Sequence, residues 1–245
     1  MSVRFYCPDP PRDGRFQLPA DEARHLAKVC RHGPGDVVEL FDGKGLATSA
    51  RVLEVGRDRV VLAAEGAPLV GARAGCEITL ASAVPKGDRF DVLVEKATEL
   101  GAARLIPLIT ERSVVEPSPS KLERLRRTVI EACKQCRRAD LMELAPPVGW
   151  AEFVRSTVSP GGNRLLALQS GRSPAAWPTP AAGVGVLLAV GPEGGFSPPE
   201  VELAEGSGWV GVCLAPHVLR IETAGIAGIA AILAKTEKGG GDGVD

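Results

Sequence analysis

The chain has 245 residues, 44% hydrophobic and 24% charged, with a formal net charge of -1; it has room for one large or two modest domains and no general basic charge, so nucleic-acid contact requires a local patch. Its opening, M-S-V-R-F-Y-C-P-D-P, lacks the apolar run of a signal peptide, and no later stretch approaches the ~18 apolar residues of a membrane span, so the expected location is cytoplasmic, with no membrane partner. Six scattered cysteines, Cys7, Cys30, Cys76, Cys133, Cys136 and Cys213, suit free thiols in a reducing compartment, and no disulfide is expected.

In chain order, the first ~65 residues read as short strands divided by turns at Gly33–Asp36, Asp42–Gly45 and Gly56–Arg59. Strands are predicted at Val37–Phe41, Ala47–Val55 and Val60–Ala64, with a helical stretch near Ala20–Cys30. Together these suggest a small β-barrel, with a linker at Gly66–Gly75. From Cys76 strands alternate with helices, the mark of a parallel sheet. A strand at Ile78–Val84 leads through Pro85–Asp88 to a helix at Arg89–Leu100, whose Phe90, Leu93, Ala97 and Leu100 recur at helical spacing before Gly101. The strand Arg104–Ile109 contains Pro107, which predicts an irregular or edge position.

A long helix at about Ser120–Arg138 has an apolar stripe of Leu122, Leu125, Val129, Cys133 and Cys136, and carries Arg124, Arg127, Lys134 and Arg138 on its other side. Between Glu111 and Arg138 stand eight Lys/Arg and four Asp/Glu, a local basic excess read either as a solvated face or as phosphate contact. Arg164–Leu168 and Val184–Val190 are the last buried strands before two unusual loops. The tail Lys238–Asp245 has no apolar pattern and is expected to be disordered.

The first loop, Gly191–Ser197 (G-P-E-G-G-F-S), has three glycines that let a ligand approach the main chain. Ser197-Pro-Pro-Glu200 fits a capping box that starts the next helix. The loop lacks G-x-G-x-x-G and the phosphate-loop Lys, and Glu193 would repel a pyrophosphate, which disfavours a nucleotide phosphate. A ligand with a cationic centre, hydroxyls and an adenine, as in S-adenosylmethionine, suits it better; an ordinary strand-to-helix turn is the plainer alternative. The second loop, Leu214–Thr223 (L-A-P-H-V-L-R-I-E-T), sets Arg220 and Glu222 around Ile221, with Thr223 as the expected cap of a helix Ala224–Ala234. That helix contains Gly225 and Gly228, each costing ~1 kcal/mol relative to Ala, which implies close backbone approach.

V-P-K-G-D-R-F-D at Val84–Asp91, E-K-A-T-E-L-G at Glu95–Gly101, I-T-E-R-S at Ile109–Ser113, E-A-C-K-Q-C at Glu131–Cys136, G-P-E-G-G-F-S and L-R-I-E-T-A together resemble the RsmE family, over nearly the whole chain. The resemblance implies a SPOUT-class, trefoil-knotted α/β methyltransferase domain (71–238) after a PUA-like β-barrel RNA-binding domain (1–70), with a tail at 239–245. It implies a homodimer that uses S-adenosylmethionine to methylate N3 of one uridine of 16S ribosomal RNA, uracil 1498 in the usual rRNA numbering, in the small ribosomal subunit, without a metal. Leu168, Gly191, Pro192, Glu193, Gly194, Gly195, Leu214, Ala215, His217, Leu219 and Arg220 would line the cofactor pocket, and the helix Ala224–Ala234 would pack at the knot and dimer interface. The chain departs from the family pattern at Ala215 and His217, where L-G-x-R is common, and at Lys134 and Arg137, where Glu and Gly are frequent.

Uracil N3 becomes a nucleophile when its proton leaves and charge spreads to O2 and O4, where an Arg can donate hydrogen bonds. Arg220 is the candidate for that role, and Glu222 is either a proton acceptor or a structural charge at a helix start. Arg31, Lys86, Arg112, Arg124, Arg127, Lys134 and Arg138 are candidates for RNA contact; among barrel residues Arg4, Arg24, Lys28 and Lys44 join Arg31. Cys133-x-x-Cys136 has the spacing of metal and redox sites but sits late in a helix without a second pair. His25 and His32 have no ligand constellation around them. Two other readings stand beside this one: a SPOUT ribose 2'-O-methyltransferase and a non-catalytic RNA-binding ribosome-assembly module.

Overall fold

The structure, a computed structural model, describes residues 3–10, 14–56, 59–71, 76–157, 163–178 and 183–236. Three expectations fall wholly or partly outside these residues: the tail, the turn at Arg57 and Asp58, and the end of the linker at 72–75. By its contacts the chain forms two compact units, one of Met1–Arg73 with Ile130–Leu141 and one of Ala74–Val129 with Met142–Asp245.

In the first unit, β1 (Arg4–Tyr6), β2 (Arg15–Gln17), β3 (Val37–Phe41), β4 (Leu46–Val55) and β5 (Val60–Val70) form a sheet in the order β1-β3-β4-β5-β2. The β1–β3 pair is parallel and the others are antiparallel. Along β4, Thr48, Ala50 and Val52 are buried while Ser49 and Arg51 are exposed, the period of two that puts one face in a core. That core joins Phe5, Leu26, Val38, Leu40, Val60 and Leu62. Register shifts in β4 between Ala47 and Ser49 and between Val52 and Glu54 bend the sheet. Helix α1 (Ala20–Arg24) continues as a π-helical turn, His25–Cys30. β5 runs to Val70, through half of the expected linker, because Leu69 and Val70 pair with Ala47 and Leu46.

The second unit is a wholly parallel sheet. Its strands are β6 (Ile78–Ala83), β7 (Arg104–Ile109), β8 (Glu143–Leu144), β9 (Val148–Gly149), β10 (Asn163–Arg172), β11 (Val186–Val190) and β12 (Val210–Val212). The order is β12-β10-β11-β6-β7-β8, and β9 also pairs β7. Interior strands of such a sheet are covered on both faces and read as continuous apolar runs, as β6 and β11 do. β7 lies inside the sheet, so of the two positions expected from Pro107, irregular or edge, the edge is excluded and the irregular one fits. On the side away from β6, β8 pairs Arg104–Leu105 and β9 pairs Leu108–Ile109, and Pro107 sits in the gap between them where no ladder partner is lost.

Helices α2 (Arg89–Glu99), α3 (Pro119–Cys136), α4 (Trp150–Ser156), α5 (Pro198–Gly206) and α6 (Ile221–Thr236) complete the chain, with a short 3-10 turn at Pro174–Ala176. Alternation along the strands assigns the two faces. Ala81, Ile106, Leu108, Leu166 and Ala189 pack with Trp150 and Phe153 of α4, Ala204 of α5, Phe196 and Trp209. Leu80 and Leu188, of opposite parity, face α6, whose Gly225 and Gly228 sit against them. α2 closes where the glycine signal placed its end: the Gly101 N–H bonds to Thr98 O and the Ala102 N–H to Ala97 O, both at 3.0 Å.

Candidate active site

A cavity of about 320 Å³ opens at the carboxyl ends of β10, β11 and β12, where open α/β sheets place ligands. Its walls are the end of β10 (Ala167–Gln169), the loop Val190–Phe196 and the loop that runs from Leu214 into α6. Ten residues of the expected cofactor set line it: Leu168, Gly191, Pro192, Glu193, Gly194, Gly195, Leu214, Ala215, His217 and Leu219. Arg220 is outside the lining and exposed to solvent. Ala167, Gln169, Val190, Phe196, Val218, Ile221 and Ala224 line it as well. Phe196 was visible within the glycine motif. Gln169 carries no such signal, yet its Nε2 donates to Ala215 O at 3.3 Å and Pro216 O at 3.2 Å, tying β10 to the second loop.

The glycine loop is shaped by short-range chemistry. Gly195 has φ +68°, a conformation other residues resist. The Phe196 ring folds back so that a Cβ at Gly191 would lie 3.0 Å from it. At the start of α5, Glu200 Oε2 accepts the Ser197 N–H at 2.9 Å, the carboxylate half of the expected capping box. Glu200 Oε1 also accepts the Glu111 N–H at 2.8 Å, from the loop after β7. Arg112 of that loop donates through Nη1 to Gly194 O at 2.6 Å, and Arg89 Nη1 stands 4.0 Å from Glu193 Oε1.

At the second loop, the Ala224 N–H bonds to Arg220 O at 2.8 Å, so α6 begins at Ile221. Thr223 is therefore its third residue, not its cap, because the helix begins three residues earlier than the Ala-rich run suggests. Glu222 lies in the first turn with 8% of its surface exposed and Oε2 without a partner. Buried at the positive end of α6, its carboxylate is favoured by the helix dipole.

The residues expected to touch RNA divide. Lys86 and Arg127 in the second unit and Arg31 in the first are exposed and pair with no acidic side chain among the described residues. Arg124 pairs with Asp91 at 2.6 Å, and Lys121 pairs with the same carboxylate. Lys134 is buried between Glu22 at 2.5 Å and Glu131 at 2.8 Å, and Arg138 pairs with Asp140 at 2.8 Å. The apparently continuous basic stripe is thus largely neutralised. The Cys133 thiol is fully buried and pushed up to about 12 by that burial, which removes the thiolate a redox or metal site needs. Among the described residues no cluster of His, Cys, Asp and Glu is built to hold a metal, and no helix is long and apolar enough to cross a membrane.

The cavity suits S-adenosylmethionine on its own terms. It lies at the lower end of the roughly 300–1,000 Å³ typical of small-molecule sites. Leu168 and Phe196 offer apolar walls, the glycine loop exposes main-chain groups, and Glu193 provides negative charge for a cationic ligand where a phosphate site would carry Lys.

Fold and cavity are those of the RNA methyltransferases: the RNA methyltransferase domain family matches residues 72–233, and the RNA methyltransferase PUA domain family matches residues 18–65. Ribosomal RNA small subunit methyltransferase E of Synechocystis sp. is 33% identical, covering 90% of this chain and 73% of the relative. The same-named protein of Mycobacterium bovis is 30% identical, covering 95% and 91%. The crystal structure of Neisseria gonorrhoeae ribosomal RNA small subunit methyltransferase E bound to S-adenosyl methionine superposes with a TM-score of 0.89 at 30% identity, covering 96% of this chain and 98% of that one. The chain belongs to the ribosomal RNA small subunit methyltransferase E family.

Proposed function

We propose that this chain methylates N3 of a specific uridine in 16S ribosomal RNA of the small ribosomal subunit, using S-adenosylmethionine, in the cytoplasm and as a homodimer. The observation that carries the reading is the cavity at the strand ends, ringed by the two loops singled out from sequence. The ten expected lining residues would hold the cofactor, with Glu193 facing its cationic part. When bound, S-adenosylmethionine supplies a sulfonium methyl group for displacement by an anionic nucleophile.

Arg220, exposed beside the cavity, donates hydrogen bonds to the oxygen that carries charge once N3 is deprotonated. Glu222 is buried and does not line the cavity, so its role is to hold charge at the start of α6 and not to collect the proton. Lys86, Arg127 and Arg31 are the RNA contacts with free head groups. The first unit is the RNA-binding domain, and the knot of the SPOUT class lies in the second. Dimerisation is supported by the outer face of α6, where Ile226, Ala227 and Leu233 are half-buried and Ala230 is exposed on an almost wholly apolar helix.

The test is nucleoside mass spectrometry of 16S RNA from small subunits that lack the modification, after incubation with the purified protein and S-adenosylmethionine. N3-methyluridine is the expected product. A 2'-O-methylated nucleoside would move the target atom to the ribose, and no methylation of subunits or naked RNA would leave an RNA-binding assembly module as the reading.

A further inference from the structure

The loop after β7, Thr110–Val114, touches the glycine loop at two points that nothing in the catalytic reading uses. The first is the Arg112 Nη1 bond to Gly194 O at 2.6 Å. The arginine's stem also lies along that glycine, where a Cβ would meet Arg112 Cδ at 3.3 Å. The second is Glu200, whose two carboxylate oxygens accept main-chain N–H groups from different loops, Glu111 at 2.8 Å and Ser197 at 2.9 Å. Glu200 O in turn accepts the indole N–H of the buried Trp150 at 3.0 Å, anchoring the start of α5 to α4. The donor loop is itself rigid: the Thr110 N–H bonds to Ser113 Oγ at 2.9 Å and the Ser113 N–H to Thr110 O at 3.1 Å.

We propose that Arg112 and Glu200 form a latch that holds the glycine loop in its ligand-ready shape, making both of them positioning residues for the cofactor cavity and removing Arg112 from the RNA contacts. This rests on the cofactor assignment above. The physical ground is that both bonds are charge-assisted, about twice as strong as neutral ones, and fall on a glycine-rich segment whose ordering would otherwise be charged to ligand binding. A carboxylate is required at 200 because two N–H donors converge on it; an amide has one oxygen to offer.

The test compares wild type with Glu200→Gln, Arg112→Ala and Arg112→Lys, with Glu202→Gln, an exposed neighbour on α5, as control. Amide hydrogen exchange on the ligand-free protein should rise roughly tenfold across Gly191–Ser197 in the first two variants, given the usual strength of hydrogen bonds to charged groups. Exchange in β11 and the α5 interior should be unchanged. Arg112→Lys, which keeps a donor, should recover part of the protection. The KM for S-adenosylmethionine should rise by a similar factor, with kcat at saturating cofactor and affinity for RNA within twofold of wild type. Unchanged loop exchange in Glu200→Gln and Arg112→Ala would overturn the latch, as would weakened RNA binding with an unaltered cofactor KM in Arg112→Ala. Failure of the wild type to bind S-adenosylmethionine would instead count against the proposed function, because loop exchange tests the latch without cofactor.

Discussion

Arg220 and Glu222 are two residues apart and lie in opposite environments. Arg220 is exposed at the end of the second loop, whereas Glu222 is buried in the first turn of α6. Only the arginine can reach a base that enters from solvent. Replacing Arg220 with Ala should therefore lower kcat by about 10²–10³, the usual effect of deleting a donor to developing charge, while Tm stays within a degree. Full turnover in that variant would remove it from the mechanism. Lys134 illustrates the converse case, a residue that sequence assigned to RNA and the fold uses internally. Its ammonium is buried between Glu22 and Glu131, and burial pushes the Glu22 carboxyl up from 4.5 even though Lys134 pulls it down. Lys134→Met leaves Glu22 buried without a cation and should cost roughly 3 kcal/mol at neutral pH. A raised carboxyl contributes stability below its unfolded value and loses it as pH rises through the folded one, so the deficit should shrink as pH falls from 7 towards 5. Thermal melts of both proteins across that range check it, and a deficit that widens on acidification would contradict the assignment.

Among the elements, α6 shows why two glycines persist in a helix where each costs ~1 kcal/mol. A Cβ at Gly228 would lie 2.3 Å from Cδ2 of the fully buried Leu188 on β11. Gly228→Ala gains helix propensity but forces that leucine to repack, and overpacking of 1–3 kcal/mol outweighs the gain. The variant should be less stable by about 1 kcal/mol, readable by denaturant titration; a more stable variant would show that the contact yields. This close approach was legible in the Ala/Gly composition, as were α2 from its apolar spacing and both cavity loops from their glycines and prolines. Other elements left little trace. β1 and β2 are three residues each, too short for alternation to register. α4 has seven residues, and its Trp150 and Phe153 acquire meaning only from Phe196 and Trp209, over forty positions away. Pro107 signalled an irregular or edge position without deciding between them, because a local rule cannot see that β8 and β9 leave a gap opposite it. Arg112 and Glu200, 88 positions apart, read separately as an RNA contact and a helix cap; their convergence on the glycine loop is tertiary.

At the scale of the molecule, the division of the chain does not follow its order, because Ile130–Leu141 groups with the N-terminal strands. Charge explains why this segment is integral to the first unit. Arg4, 4% exposed, donates through Nη1 to Cys133 O at 3.2 Å and to Arg138 O at 3.1 Å. Lys134 neutralises the buried Glu22, and Arg137 pairs with Glu39, which also holds Arg4. Cutting the chain after Arg73 would leave Arg4 without its two carbonyl acceptors and Glu22 without its cation. Stranding a buried charge in this way costs roughly 3–5 kcal/mol, a large part of the ~5–15 kcal/mol that stabilises a domain. A fragment 1–73 should therefore melt well below the intact protein or without cooperativity, by circular dichroism. Supplying a peptide of residues 130–141 in excess should raise its midpoint, since binding to the folded form alone stabilises it. If the fragment melts cooperatively at the temperature of the intact protein and ignores the peptide, the N-terminal strands are self-sufficient, and the helix end contributes nothing to their stability.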